Sequence, residues 1–419
     1  MILGLLKIVG RSLRQHVLST VVTVLSAALA AGLVMAVFSI KQQTHAAFVG
    51  GPAGFDAVLG ARGSQLQLIL NSVFHLETSP GNIPWEMYRE IAEDSRVELA
   101  IPYAVGDNYQ GYRLVGTTEE LFTRFEYRKG VRFECTEGGR FFDPALREAV
   151  IGSVVAEKTG LRVGSTLNPY HGLVYDPKMK HAEKYVVTGV LKPTNSPSDR
   201  VIWIPIEGIF RMGGHVLRGT GTEFKPEAGS EIPDEHKEVS AVMLKFRSPM
   251  AGFQFDQMIN RQGKAATLAW PISKVMAEYF DKMGWVDRVL ALVAYLVVLV
   301  SAGSILASIY NSMNERRRDF AILRALGAKR RVIFTTIVTE AALIAGLGGI
   351  LGWVVQMGIL AGAAVVIRDQ TGVVLELTQW HPALAIAPAG MLVLGAIVGI
   401  VPAFNAYRTD VAENLSPVS

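Results

Sequence analysis

The chain has 419 residues, 50% hydrophobic and 19% charged, with a mean hydropathy of +0.29 and a formal net charge of +4. That balance fits a membrane protein with a sizeable soluble part. A single cysteine, Cys135, excludes an intrachain disulfide, a cysteine-based metal cluster and a dithiol redox pair.

Residues 17–40 carry no charge over 24 positions and follow a basic start, Lys7, Arg11 and Arg14. A secretory signal has a core of about 7–15 apolar residues. This run is longer, so it reads as an uncleaved anchor and first span. Residues 42–285 follow, too many for a loop and enough for one or two folded domains. Their pattern is mixed α and β. FDAVLGA (55–61), VELAIPYAV (97–105) and YRLVGTT (112–118) predict strands, as do KYVVTGVLKP and RVIWIPI around the polar turn TNSPSD. PWEMYREIAED (84–94) predicts a helix with proline at its start and a stripe of Met87, Tyr88 and Ile91. EAVIGSVVAEKTGL predicts a strand and then a helix, and residues 272–283 a helix running into the second span. Residues 211–239, rich in glycine, proline and charge, read as a loop or insert.

Three further apolar runs follow: 289–314 without a charge, 332–367 with only Glu340, and 377–407 without a charge. A span needs roughly 20 residues. The run 332–367, the third of the four, is much longer, so it tilts, breaks near its glycines or leaves the bilayer. Between the second and third spans lies NERRRDFAILRALG (314–327). On a wheel of about 100° per residue, Phe320, Ile322, Leu323 and Leu326 fall within an arc of roughly 160°, with Arg317, Arg318 and Arg324 opposite. Two readings stay open on the residues alone: a positive-inside loop on lipid headgroups, or a short amphipathic helix that docks on a cytoplasmic protein.

The N-terminal flank, the 314–331 loop and the last flank hold eleven Lys/Arg against four Asp/Glu; the rest of the chain holds 30 basic and 33 acidic residues. Both termini and that loop are therefore expected in the cytoplasm, with residues 42–285 outside. The basic balance reflects topology and gives no sign of nucleic-acid binding.

Isolated side chains carry less. Glu340 is the one acid inside a span, a functional candidate by position. Its readings are proton or cation handling, or a structural or dimer contact, with Lys329 and Arg330 within reach. Gly348 and Gly352 form a small-xxx-small seam for close helix packing. His171, His181, His215 and His236 could build a metal site, but their spacing is not diagnostic; loop histidines are the expected reading and no metal ligand is assigned. Trp285, Trp353 and Trp380 read as interfacial anchors. No G-x-x-x-x-G-K-[ST], G-x-S-x-G or H-E-x-x-H occurs, so no catalytic residue is assigned and the chain is not expected to hydrolyse ATP.

The stretch ERRRDFAILRALGAKRRVIFTTIVTEAALIAGLGGILG (315–352) resembles the signature of the FtsX/MacB-type ABC transporter permeases. YRLVGTT, GRFF, EAVIGSVVAEKTGLRVGSTL, KYVVTGVL and RVIWIPIEGIF resemble that family's extracytoplasmic core in order. The resemblance implies an integral membrane α-helical protein with four transmembrane helices and a large α+β extracytoplasmic domain between the first and second. The expected divisions are 1–41 (N-terminus and first span), 42–285 (MacB-like core), 286–407 (FtsX-like permease domain) and 408–419 (cytoplasmic tail). The resemblance makes 314–327 a coupling helix fitting a groove on a separate ATPase subunit. That carries an ATPase-coupling role onto Glu315, Arg316, Arg317, Arg318, Asp319, Phe320, Ile322, Leu323, Arg324, Leu326 and Gly327. It further implies ATP and Mg on the partner ATPase and no cofactor on this chain. A second copy or a related permease, lipid, and a periplasmic protein or lipoprotein complete the expected partners. The site of action is a bacterial inner membrane. The activity implied is export or extraction of a lipoprotein, peptide or other amphiphile. The alternative is an FtsX-like mechanotransmission scaffold regulating an outside partner such as a cell-wall hydrolase.

Overall fold

The structure is a computed structural model that describes residues 10–11, 14, 17–49, 54–213, 215–221 and 232–408. The expectations placed on residues 1–9, on the middle of the 211–239 insert and on the tail at 409–419 lie outside the described residues. The chain divides into two compact units. One is made of the described parts of Met1–Gln43, Met283–Ala364 and Leu375–Ser419; the other of Thr44–Lys282 and Val365–Val374.

The first unit is helical. Four helices are long and apolar enough to cross a membrane: α1 (Val17–Val49), α2 (Ile272–Glu315), α4 (Arg330–Thr371) and α5 (Ala383–Arg408), with a short α3 (Arg317–Ala325) between α2 and α4. Of the three outcomes open for the long third run, breakage at the glycines does not occur. α4 is one continuous helix of 42 residues, roughly 63 Å at 1.5 Å per residue. Its last seven residues, with the three that follow, belong to the second unit, so the permease division at 286–407 is interrupted at 365–374. There Lys158 pairs with Asp369 at 2.9 Å, Arg368 with Glu157 at 2.5 Å, and Val373 is buried.

Small residues set how closely α4 approaches its neighbours. A Cβ at Gly348 would stand 2.3 Å from the Ala27 Cβ, and one at Gly352 2.9 Å from the Ala31 Cβ. On another face, a Cβ on Gly395 of α5 would lie 2.5 Å from the Ala345 Cβ, and one on Gly399 2.8 Å from the Ala341 Cβ. The Gly348–Gly352 seam therefore packs on the first span of the same chain, where close approach lengthens the line of van der Waals contact. Gly348→Val is expected to destabilise the helical unit by about 1–3 kcal/mol through overpacking. Gly362→Val, with open space around its Cβ, serves as the control. Thermal unfolding in detergent separates them; equal midpoints would refute the seam.

The second unit is built on a ten-stranded sheet. In chain order the strands are β1 (Ala57–Ala61), β2 (Val97–Tyr109), β3 (Tyr112–Thr117), β4 (Glu148–Ile151), β5 (Thr166–Leu167), β6 (Tyr170–His171), β7 (Tyr185–Val190), β8 (Val201–Pro205), β9 (Ala241–Phe246) and β10 (Ala266–Ala269). Their order across the sheet is β10-β1-β9-β2-β3-β8-β4-β7-β5, with β6 also paired to β2. The pairs β3–β8 and β4–β7 are parallel and the rest antiparallel. Successive side chains alternate between two cores. Leu114, Ala149, Ile151, Ile202 and Ile204 join one; Val115, Val150, Val201 and Trp203 join the other. A strand buried on both faces reads as a continuous apolar run, as AVI (149–151) and VIWIP do. The predicted helix at 84–94 forms over Trp85–Ala92. The helix after β4, Ser153–Thr159, ends at Gly160, whose φ of +73° suits a residue without a Cβ.

Arg140 and Glu148 make a two-pronged ion pair, with the second prong at 2.6 Å, and the Asp143 N–H donates to the same carboxylate at 2.8 Å. The Arg140 hydrogen bonds, outweighing burial, hold the Glu148 carboxyl below its ordinary value. Its contribution is thus fully present above that ordinary value, about 4.5, and is lost as pH falls through the lower folded-state value. The melting temperature of wild type is expected to drop over that acid window, and Glu148→Gln to flatten the drop; identical acid profiles would refute the linkage.

Candidate functional site

The first candidate is the turn between α2 and α4. α2 stops at Glu315 because Arg316 leaves helical geometry, at φ −98° and ψ 7°. α3 then runs to Ala325 and closes at Gly327, whose φ is +95°. Arg316 does not face outward with the other basic residues. It is buried, its Nη1 lies 3.2 Å from Oε2 of the buried Glu340, and its guanidinium stands 5.0 Å over the Phe320 ring. Glu340 thus meets Arg316, 24 residues before it, rather than Lys329 or Arg330.

The apolar arc divides accordingly. Phe320 is buried in the helical core with Ile333 and Ile337, and Ala321 is buried as well. Ile322, Leu323 and Leu326 are exposed, Leu326 to 80%. Glu315, Arg317, Arg318, Asp319 and Gly327 are exposed and Arg324 is half-buried. Three apolar side chains ringed by arginines are therefore presented outward on a helix pinned from beneath.

The second candidate lies in the α+β unit. Gly106 forms a bulge in β2, shifting the register of β2 against β3 between Val105 and Asp107. β6 pairs with the end of β2, placing His171 directly across from Asp107. The Asn108 side chain holds β6 by donating to the Gly172 carbonyl at 2.9 Å. His181 is set by its own N–H, which donates to the Pro169 carbonyl, and by the Asn168 amide, which donates to the His181 carbonyl. His215 follows the helix Ile206–Phe210; its Nδ1 stands 3.1 Å from the Ile209 carbonyl.

Three rings converge on one oxygen. Asp107 Oδ1 lies 3.3 Å from His181 Nε2, 3.3 Å from His215 Nε2 and 3.5 Å from His171 Nδ1. The ring centroids form a near-equilateral triangle of 5.2–5.6 Å. Asp107 is fully buried, and its Oδ2 has no hydrogen-bond partner among the described residues. Burial pushes its carboxyl up, but the three histidines outweigh burial and hold it far below the ordinary range. The same contact raises His171. Beside the cluster, a cavity of about 280 Å³ is bordered by His171, His215, His236 and Glu238. The histidines expected as scattered loop residues are thus three gathered ones plus His236, which stays outside the set. The sequence reading passed over Asp107 altogether.

Four membrane-length helices, one short helix between the second and third, and a sheet-based unit inserted between the first and second define a polytopic membrane protein with a large folded insert. The profile of the MacB-like periplasmic core domain matches residues 20–250, and that of the FtsX-like permease C-terminal domain matches 291–411. The chain belongs to the MacB-type, FtsX-like family of ABC transporter permeases. It is 25% identical over 278 residues to the macrolide export ATP-binding/permease protein MacB of Hyphomonas neptunium, covering 65% of this chain and 39% of that one. It is 33% identical over 104 residues to the uncharacterized ABC transporter permease YvrN of Bacillus subtilis, 25% of this chain and 24% of that one. The chain thus matches well under half the length of these relatives. The crystal structure of the periplasmic region of MacB from Actinobacillus actinomycetemcomitans overlays with a TM-score of 0.34 at 12% identity, covering 55% of this chain and 94% of that one.

Proposed function

We propose that the chain is the permease subunit of an ABC assembly in a bacterial inner membrane, with both termini cytoplasmic and residues 42–285 outside. ATP, with Mg, is bound and hydrolysed on a separate subunit. The observation that carries this reading is the pinned α3: a buried Arg316–Glu340 pair beneath, and exposed Ile322, Leu323 and Leu326 above. An exposed apolar patch rimmed by charge suits a protein groove. The exposed arginines match an acidic rim and α3 hands its displacement to α4 through Arg316 and Glu340.

A second permease copy, or a related chain, completes the assembly in this reading. The exposed apolar side chains of α2 (Leu292, Leu296, Leu299, Val300) and of α5 (Val393, Ile397, Val401) supply faces for it and for lipid. The substrate class is an amphiphile, such as a lipoprotein or peptide, moved out of the membrane or the periplasm.

The test is affinity capture of the tagged chain from native membranes in mild detergent, read by mass spectrometry. Co-recovery of an ATP-binding subunit is the expected result, with a periplasmic protein or lipoprotein marking the pathway. Recovery of a cell-wall hydrolase as the outside partner would turn the reading toward mechanotransmission. Absence of any ATPase beside a positive control would overturn it.

A further inference from the structure

We propose that Asp107, His171, His181 and His215 bind one divalent transition ion, zinc above the others, at a site open to exchange through the adjoining cavity. The inference is independent of the permease reading.

The first argument is spacing. Ligands about 2.0–2.1 Å from a tetrahedral zinc stand about 3.3–3.4 Å apart. The three separations from Asp107 Oδ1 are 3.3, 3.3 and 3.5 Å. All four donor atoms lie within 4.8 Å of one another. Closing the ring nitrogens onto an ion takes at most roughly 1.5 Å of movement, within reach of side-chain rotation and of the loop that carries His215.

The second argument is that direct hydrogen bonding explains the cluster poorly. A carboxylate offers about four acceptor positions over two oxygens. Here three rings share Oδ1 at long distances, while the buried Oδ2 has no partner among the described residues. His215 sharpens the point. A carbonyl only accepts, so the Nδ1 facing Ile209 carries the proton. In the neutral ring, Nε2 then aims a lone pair at a carboxylate oxygen 3.3 Å away. Two acceptors facing each other repel. Either an imidazolium at His215 or a cation between them relieves this, and an imidazolium there leaves three rings in a 5.2–5.6 Å triangle still sharing one oxygen while Oδ2 goes unused. A bound cation takes the lone pairs of all three rings and of Oδ1 at once. The Ile209 carbonyl is then the outer hydrogen bond that fixes the tautomer of a ligating histidine.

The third argument selects the ion. Three imidazoles and one carboxylate oxygen suit zinc and its first-row neighbours; calcium and magnesium prefer all-oxygen shells. The match of the three Asp107–nitrogen separations to the tetrahedral value favours zinc within that group. Exchange follows from exposure: the His171 side chain is 45% exposed, and His171 and His215 both border the cavity.

The experiment uses the full chain in detergent, stripped with a strong chelator and returned to metal-free buffer. Zinc is titrated against a chromophoric competitor, and bound metal is counted by mass spectrometry. One zinc per chain is expected, with cobalt giving the visible bands of a four-coordinate nitrogen–oxygen site. His181→Ala and His215→Ala are each expected to weaken binding by at least about 100-fold. His236→Ala, in the cavity wall but outside the set, is expected to bind as wild type. If the buried variants lose their fold by thermal melt, His171→Ala decides, because its half-exposed ring can be removed without opening the core. No zinc at one equivalent, binding unchanged in the folded variants, or equal displacement by calcium or magnesium would each overturn the proposal.

Discussion

Replacing Glu340 with alanine is expected to cost the helical unit about 3–5 kcal/mol, the usual penalty for breaking a buried ion pair by removing one member. Arg316 is 9% exposed and Glu340 5%, so neither charge recovers much water when the other is removed. The guanidinium also lies over Phe320, so the loss spreads into the packing of α3. Arg316→Met is expected to behave like Glu340→Ala. The double variant Arg316→Met/Glu340→Leu is expected to regain most of the loss, because two apolar groups of similar volume need no compensation. Denaturant titration in detergent measures all three. A Glu340→Ala midpoint at the wild-type value would show the pair to be solvated and the pinning of α3 to be unimportant. The double variant adds a functional reading. If it is stable yet stimulates the partner ATPase poorly, the ion pair carries motion as well as stability.

Leu323→Asp and Leu326→Asp are expected to reduce stimulation of the partner ATPase by about tenfold or more, since apolar anchors seated in a groove dominate the energy of such contacts. Both residues are exposed, Leu326 to 80%, so the variants should insert and melt as wild type. That separates them from Phe320, whose replacement would damage the helical core itself. Reconstituted complexes assayed for ATP turnover and for co-purification of the two subunits give the answer. Normal stimulation by stable Leu323→Asp and Leu326→Asp chains would remove α3 from the docking surface and leave a positive-inside loop.

The spans were legible because a run of two dozen uncharged apolar residues admits few other readings. The sheet was legible where both faces are buried, as at VIWIP, and where alternation is clean. AVMLKF at 241–246, Ala266–Ala269 and the helix Gln65–Ser72 carry the same kind of signal in shorter pieces, and no reading was drawn from them. Side-chain direction was the harder problem. Arg316 sits in a basic run, and only a partner 24 residues later, across the turn, explains why it points inward. The Asp107 cluster was out of reach for a similar reason. Its histidines lie 64, 74 and 108 residues from Asp107 and meet it only through the β2 bulge, the β2–β6 register and the turn after Ile206–Phe210. No local pattern encodes that meeting.

The contact of Gly348 and Gly352 with Ala27, Ala31 and Gly32 has a consequence for how the sequence can drift. Across this seam the total volume is fixed: one extra methyl on either helix has nowhere to go. Positions 27 and 348, and positions 31 and 352, are therefore free to change only as pairs. An alanine at 348 meets the Ala27 Cβ first, so Ala27→Gly is expected to recover part of the cost of Gly348→Ala, while the Val24 carbonyl oxygen, 2.9 Å from that Cβ, keeps the rest. Among diverging relatives, these two helices would carry a record of matched small residues, with change at one position depending on its partner.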